Sequence, residues 1–292
     1  MTPSLAELSP QIAFPQHPYL LMGADMPAPV ILTLGHSGRF YPPRFLAQSR
    51  LSLAHLRLSE DAYLDKLCVP AAPPPTLVAQ VARLYVDVNR HPGELDPRLI
   101  EGPLPDYALA QSQRVHAGLG VVPRTASGGE DIYAETLSVA DIEARLDRYH
   151  RPFHEALAGL IKDARHRWGA ALILDFHSMP SSLGNGTGSD VVLGDCHGQS
   201  CSATLIECCE RYFHKMGAVV RRNDPYAGGF ITHHYGHPDQ GVHALQIEIN
   251  RGLYMNEATL RPERGFAALQ ERLQHLSVYI SQKWQDLLQR ES

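Results

Sequence analysis

AALILDFHS, residues 170–178, decides the fold. Five apolar residues in a row, Ala170 to Leu174, read as a buried strand, and the strand runs into a polar end, Asp175-Phe176-His177-Ser178. The same layout recurs along the chain. Residues 30–34 (VILTL) run into Gly35-His36-Ser37-Gly38, and residues 84–88 (LYVDV) run into Asn89-Arg90. Residues 244–249 (ALQIEI) alternate, with Gln246 and Glu248 on one face and Leu245, Ile247 and Ile249 on the other, ahead of Asn250-Arg251. Shorter strands are expected at residues 191–193 and, after Gly217, at 218–220.

Helical patterns separate these strands. Ser138 with Asp141 reads as an N-cap, and Leu157, Leu160, Ile161, Ala164 and Trp168 follow at helical spacing. Pro152 should begin or kink a helix. Leu205, Cys208, Tyr212 and Met216 form a second stripe, stopped by Gly217. After Pro262, a long amphipathic C-terminal helix carries Phe266, Leu269, Leu273, Leu276, Ile280 and Trp284. Strands alternating with helices predict an α/β fold with a mainly parallel central sheet. There is no internal repeat, and residues 71–75 (AAPPP) are too short for a domain linker, so residues 1–292 read as one domain. Residues 180–190 (PSSLGNGTGSD), just past His177, read as a mobile loop.

Composition narrows the function classes. The 292 residues are 44% apolar and 20% charged, with a formal net charge of −5 and a pI near 6.3. No basic stripe points to nucleic acid, and no apolar run approaches the ~20 residues that cross a bilayer. Residues 1–10 (MTPSLAELSP) lack a basic start followed by an apolar stretch, so no secretory signal is expected. Five scattered cysteines without a CxxC pair suit a reducing cytoplasm. Histidine is abundant, at 16 residues, and imidazole is the commonest metal ligand.

Any one polar strand end also reads as a surface loop, a helix cap or an ion pair. Four of them brought together by a sheet would place two histidines, several carboxylates and two arginines in one cleft. The segments LGHSGRFYPP, YVDVNR, LDFHSMPSS, GDCHGQS, GGFITHHYG and QIEINRGLYM, in that order from about His36 to Met255, resemble the motif series of the N-formylglutamate amidohydrolases. That family is similar in turn to the zinc carboxypeptidases and aspartoacylases, which DVNR and DFHS echo here. The resemblance implies a mixed, mainly parallel sheet flanked by helices and one catalytic zinc. It also implies hydrolysis of N-formyl-L-glutamate to formate and L-glutamate, a late step of histidine breakdown.

Residue by residue, the resemblance makes His36 and His177 the two histidine ligands of zinc. Carboxypeptidases and aspartoacylases place a glutamate three residues after the first histidine, where this chain has Arg39. The segment LRLSEDAYLDKL offers Glu60, Asp61 and Asp65 as substitutes; Asp61 is taken as the third ligand, and an acid-rich helix start is the other reading. Glu248 resembles the general base, and also reads as a strand carboxylate paired with Arg251 or Arg90. Asn89 and Arg90 resemble the pair that grips a substrate carboxylate. A second carboxylate calls for a second cation, with Arg251 ahead of Arg39. Asp175 is placed to orient a ligand or simply to end its strand. His233, His234 and His237 lie beside Gly236 and Pro238; they read as a surface loop, a loop covering the cleft, or a second metal site. Cys196-His197, between Gly194 and Gly198, reads as a turn. Three functions compete: the deformylase; a related zinc amidase, acylase or carboxypeptidase-like hydrolase of another small N-acyl amino acid or peptide; and a metal-binding protein without turnover, which would not need Glu248.

Overall fold

The computed structural model describes residues 17–23, 25–182 and 188–288. The expected leaderless start (residues 1–10) and the centre of the glycine-rich loop (residues 183–187) lie outside them. Seven strands form one sheet: β1 (Tyr19–Met22), β2 (Val30–Leu34), β3 (Thr76–Ala79), β4 (Ala171–Met179), β5 (Val191–Gly194), β6 (Val220–Arg222) and β7 (Val242–Asn250). Their order is β1-β3-β2-β4-β7-β5-β6. The four central strands β3, β2, β4 and β7 are parallel; β1 pairs antiparallel to β3, and β5 antiparallel to β7, so the sheet is mixed.

Three long helices cover the two faces: α1 (Arg151–Trp168), α2 (Ala203–Lys215) and α3 (Phe266–Leu288). Strand alternation decides which residues meet which helix. Leu172, Leu174, Phe176, Leu245, Ile247 and Ile249 pack with Leu205, Phe213, Leu273 and Ile280 of α2 and α3. Ala171, Ile173 and Ala244 point the other way, onto Phe153, Leu157 and Ile161 of α1. Phe266, Leu273, Leu276 and Ile280 of α3 are fully buried, each worth about 1.5–3 kcal/mol relative to exposure. A third apolar cluster, from Phe40 to Tyr149, packs beneath the irregular chain between β3 and α1.

Several expectations hold with shifted bounds. The 30–34 strand is as read, the Ala170 strand continues to Met179, and the Ala244 strand spans Val242–Asn250. His177 therefore lies within its strand rather than after it, and Glu248 lies within its strand as read. Ser138 caps its helix by accepting from Asp141 N. That helix widens into a π-helical turn over Leu146–His150 and resumes as α1, with Pro152 in its first turn. The strand near residues 218–220 forms at Val220–Arg222, where it pairs with Val191–Leu193.

One strand reading is corrected. LYVDV is not a strand: Tyr85 N and Val86 N both donate to Ala82 O, so the backbone turns on itself. Its apolar side chains Leu84 and Val86 are buried in the third cluster, which produced a strand-like run without strand pairing. Two four-residue strands, β1 and β3, were too short to read. No helix among the described residues is long and apolar enough to cross a membrane.

Candidate active site

The sheet register builds the site. On the face shared with α1, Thr33, Asp175 and Gln246 are aligned across β2, β4 and β7, and one step further His177 is the register partner of Glu248. This is the carboxyl end of the parallel strands, where α/β sheets place their ligands. Thr33 Oγ1 donates to Asp175 Oδ1 at 2.6 Å, and Asp175 Oδ2 lies 3.0 Å from His177 Nε2. Past the end of β2, His36 Nε2 lies 2.7 Å from Oδ1 of Asp87 in the irregular segment, and Asp87 also accepts from Asn89 N and Arg83 Nη2. A carboxylate only accepts, so each aspartate fixes the proton on Nε2 of its histidine and leaves Nδ1 as the open lone pair.

Those two Nδ1 atoms face each other at 3.0 Å, and both face Asp61 Oδ2, at 3.1 Å from His177 and 3.4 Å from His36. All three residues are buried. Three lone-pair atoms so close repel unless a cation or a proton lies among them. Their ligand atoms lie within 4.8 Å of one another, and among the described residues this is the only such group of histidine, cysteine and carboxylate. A tetrahedral zinc shell with bonds of ~2.0–2.1 Å spaces its ligand atoms ~3.3 Å apart, so the donor set fits zinc in chemistry and in size.

Of the three acids in LRLSEDAYLDKL, Asp61 alone reaches the histidines. Glu60 accepts from Tyr41 and Arg57, and Asp65 accepts from Arg39. Asp61 N is tied to His36 O at 3.1 Å, which draws its turn against the first strand end, and Asp61 precedes the short helix Leu64–Leu67 rather than starting it. Burial by itself would raise the Asp61 carboxyl; the hydrogen bonds of His177 and His36 and the charge of Arg251 overcome it and hold it well below the usual range. Burial likewise opposes the charge on His177, yet Asp175 and Asp61 raise it well above the ordinary imidazole value. The Glu248 carboxyl is pushed up to about 7, chiefly by burial, against the pull of His177. Gln246 Nε2 donates to Glu248 Oε1 at 2.9 Å and holds it in place.

The histidines, Asp61 and Glu248 open onto a cavity of about 530 Å³ that Arg83, Asn89, Arg90, Arg114 and Arg251 also line. Among the arginines expected there, Arg39 is absent from the lining: it is bound to Asp65. Arg251 reaches the lining, but its Nη2 donates to Asp61 Oδ1, its Nε to Ser178 Oγ and its Nη1 to Leu58 O, each at 3.0 Å. As placed, it holds the Asp61 carboxylate rather than presenting an open fork. The Asn89 amide oxygen is also committed, accepting from Ile231 N at 2.8 Å, and its Nδ2 lies 3.0 Å from His177 Nε2. Gly229 permits this, because a Cβ there would meet the Asn89 amide at 2.2–2.5 Å.

His233 and His234 sit on a short helix, Phe230–Tyr235, where a loop was expected; Gly236 ends it and His237 pairs with Val242. Their signal was aromatic packing: His150, His154, Phe230, His234 and Tyr235 form a chain of ring contacts at 4.4–6.2 Å. Among the described residues they belong to no second metal-binding group. Cys196 and His197 are in a tight turn with φ of 52° and 57°. Arg83, Asp87, Arg114 and Gln246 were missed as site residues. Asp87 and Gln246 lie inside motifs already noted, where they were given no role, and Arg83 lies just before one; Arg114, in QSQRVHAG, carries no local signal at all.

The family model described as N-formylglutamate amidohydrolase matches residues 28–255. An N-formylglutamate deformylase of Pseudomonas putida is 31% identical over 224 residues, 73% of this chain and 74% of that one. The counterpart from Pseudomonas aeruginosa is 32% identical over 194 residues, 62% and 65% of the two chains. The crystal structure of an N-formylglutamate amidohydrolase from Ralstonia eutropha superposes with a TM-score of 0.85 at 34% identity, covering 94% of this chain and 99% of that one. An Agrobacterium tumefaciens protein, 18% identical with a TM-score of 0.60, covers 94% and 96% and shares the fold. With the matched model spanning both histidine motifs, Asp61, Glu248 and Arg251, this chain belongs to the N-formylglutamate amidohydrolase family.

Proposed function

We propose that this chain hydrolyses N-formyl-L-glutamate to formate and L-glutamate with zinc as its cofactor. The observation that carries the reading is the convergence of His36 Nδ1, His177 Nδ1 and Asp61 Oδ2 beside a buried glutamate in an arginine-lined cavity. The same substrate is named for the matched deformylases. Zinc held by His36, Asp61 and His177 would polarise the formyl carbonyl and make water a nucleophile near neutral pH.

The residues themselves supply the rest. Glu248, made more basic by burial, takes a proton from the attacking water and returns it to the departing amine nitrogen. Asp87 and Asp175 keep His36 and His177 in one tautomer and orientation, and Arg251 fixes Asp61. Arg90, on the cavity wall beside Asn89, grips the α-carboxylate of the substrate. Its own position is set by bonds to Leu119 O and Asn89 O, and by His150 Nε2 donating to Arg90 O from the π-helical turn. All five cysteines are unpaired, which supports a reducing compartment.

Formate release from a panel of N-formyl, N-acetyl and dipeptide substrates tests the reading. N-formyl-L-glutamate should give the highest kcat/KM. A higher value for an acetyl amino acid or a dipeptide would replace the deformylase by a related acylase or peptidase, and no turnover of any member would leave a metal-binding protein.

A further inference from the structure

Arginines outnumber the roles the hydrolytic chemistry gives them. Arg251 is held on Asp61, Arg83 on Asp87 at 2.9 Å, and Arg39 on Asp65 outside the cavity. Two guanidiniums remain on the cavity wall, Arg90 and Arg114. Arg90 donates to Leu119 O and Asn89 O, and Arg114 Nη2 donates to Gly228 O at 3.0 Å. Among the described residues neither forms an ion pair with a carboxylate, although every other cationic group on this wall does. Two partly buried like charges that share a wall without a direct ion pair repel each other. Burial, reinforced by Arg114 and opposed by Asp87, pushes Arg90 down to about 10.

The Arg114 position is built firmly. It sits in the short helix Gln113–His116, capped by Ser112 Oγ accepting from Val115 N, while Ser112 Oγ donates to Glu94 Oε1. Arg98 Nη2 ties the other end through Val115 O and His116 O, itself held by Asp96. Gly228, which accepts from Arg114, runs through Gly229 into Phe230 and Ile231, whose N–H groups donate to Asn89 O and Asn89 Oδ1, so Arg114 is linked to the turn that presents Arg90. A pair of guanidiniums on one wall with no carboxylate bound to either, beyond the metal-binding group, suits two anionic groups on one ligand.

We propose that Arg114 reads the side-chain carboxylate of the substrate while Arg90 holds its α-carboxylate, so Arg114 sets the preference for an acidic amino acid. This rests on the deformylase reading for the reaction, and not for the two anion sites. A charge-assisted bond in place of a neutral one is worth about 10- to 100-fold in kcat/KM between N-formyl-L-glutamate and N-formyl-L-glutamine, its isostere with a neutral side chain.

The test compares wild type, Arg114→Gln and Arg114→Lys, each as the metal-loaded full chain, on those two substrates. Arg114→Gln should raise KM on formylglutamate with little change in kcat and lose much less on formylglutamine, so the preference collapses; Arg114→Lys should recover part of it. Equal losses on both substrates, or a preserved preference, would overturn the assignment. Calorimetric binding of glutarate against butyrate is measured in parallel and does not depend on turnover. Wild type should favour glutarate and Arg114→Gln should not; a preference unchanged by the substitution overturns the proposal even in a chain that releases no formate. Absence of formate release with glutarate selectivity intact would count against the deformylase reading alone.

Discussion

Replacing Asp61 by asparagine keeps the volume of the side chain and removes its charge. Three groups lose an anionic partner at once: His177 Nδ1 at 3.1 Å, His36 Nδ1 at 3.4 Å and Arg251 Nη2 at 3.0 Å. Removing one partner of a buried ion pair costs about 3–5 kcal/mol. Arg251 keeps Ser178 Oγ and Leu58 O, so the lower end, about 3 kcal/mol, applies. With an unfolding entropy of about 2.1 cal/mol/K per residue, 292 residues give about 0.6 kcal/mol/K, and the metal-free protein should melt about 5 °C lower. Asp65→Asn is the control. Its pair with Arg39 is partly buried, with side chains 14% and 16% exposed, so its loss falls between about 1 and 3 kcal/mol, a shift of about 2–5 °C, and zinc content is what separates the two variants. Scanning calorimetry of the metal-free proteins measures the shifts, and elemental analysis after dialysis against zinc measures occupancy. Asp61→Asn should hold far less than one zinc per chain and Asp65→Asn one. Zinc lost from Asp65→Asn and retained by Asp61→Asn would refute the ligand assignment.

Two further outcomes are expected. Glu248→Gln should retain zinc and fold normally while kcat falls by ~10²–10⁴, because only the proton acceptor is lost; full turnover in that variant would remove Glu248 from the chemistry. His154, bonded to Val88 O and to Tyr235 Oη, has its imidazole pushed down to about 3 by burial and by His150. The unfolded chain takes up this proton below about 6.5 and the folded chain does not, so stability must fall as the pH drops from about 6.5 toward 3. At pH 5 that loss reaches up to about 2 kcal/mol. Urea unfolding at pH 7 and 5 should show a smaller loss for His154→Gln than for wild type, and equal losses would place the His154 proton elsewhere.

The chain announced its sheet and the poles of its site because both follow from local pattern. VILTL-GHSG and AALIL-DFHS give strand and ligand in one stretch, and strict alternation in ALQIEI already puts Glu248 opposite the apolar core. What stayed hidden depends on contacts between distant segments. Asp61, Glu60 and Asp65 are equivalent on paper; only Arg57 and Tyr41 on Glu60, and Arg39 on Asp65, separate them. Arg251 looked available because its three acceptors, Leu58 and Asp61 in one segment and Ser178 in another, lie 73 to 193 residues away from it. Arg114 joins the cavity only because Gly228 folds back onto it, 114 residues away. LYVDV misled because burial in an irregular segment leaves the same apolar run as burial in a strand.

Zinc titration of the chelator-treated chain tests the account most directly, with formate release from N-formyl-L-glutamate as the readout. Activity should vanish with the metal and return linearly up to about one equivalent of zinc per chain, the stoichiometry of a single His36-Asp61-His177 centre. Undiminished formate release from metal-free protein, or no release at any zinc level from folded protein, would contradict it.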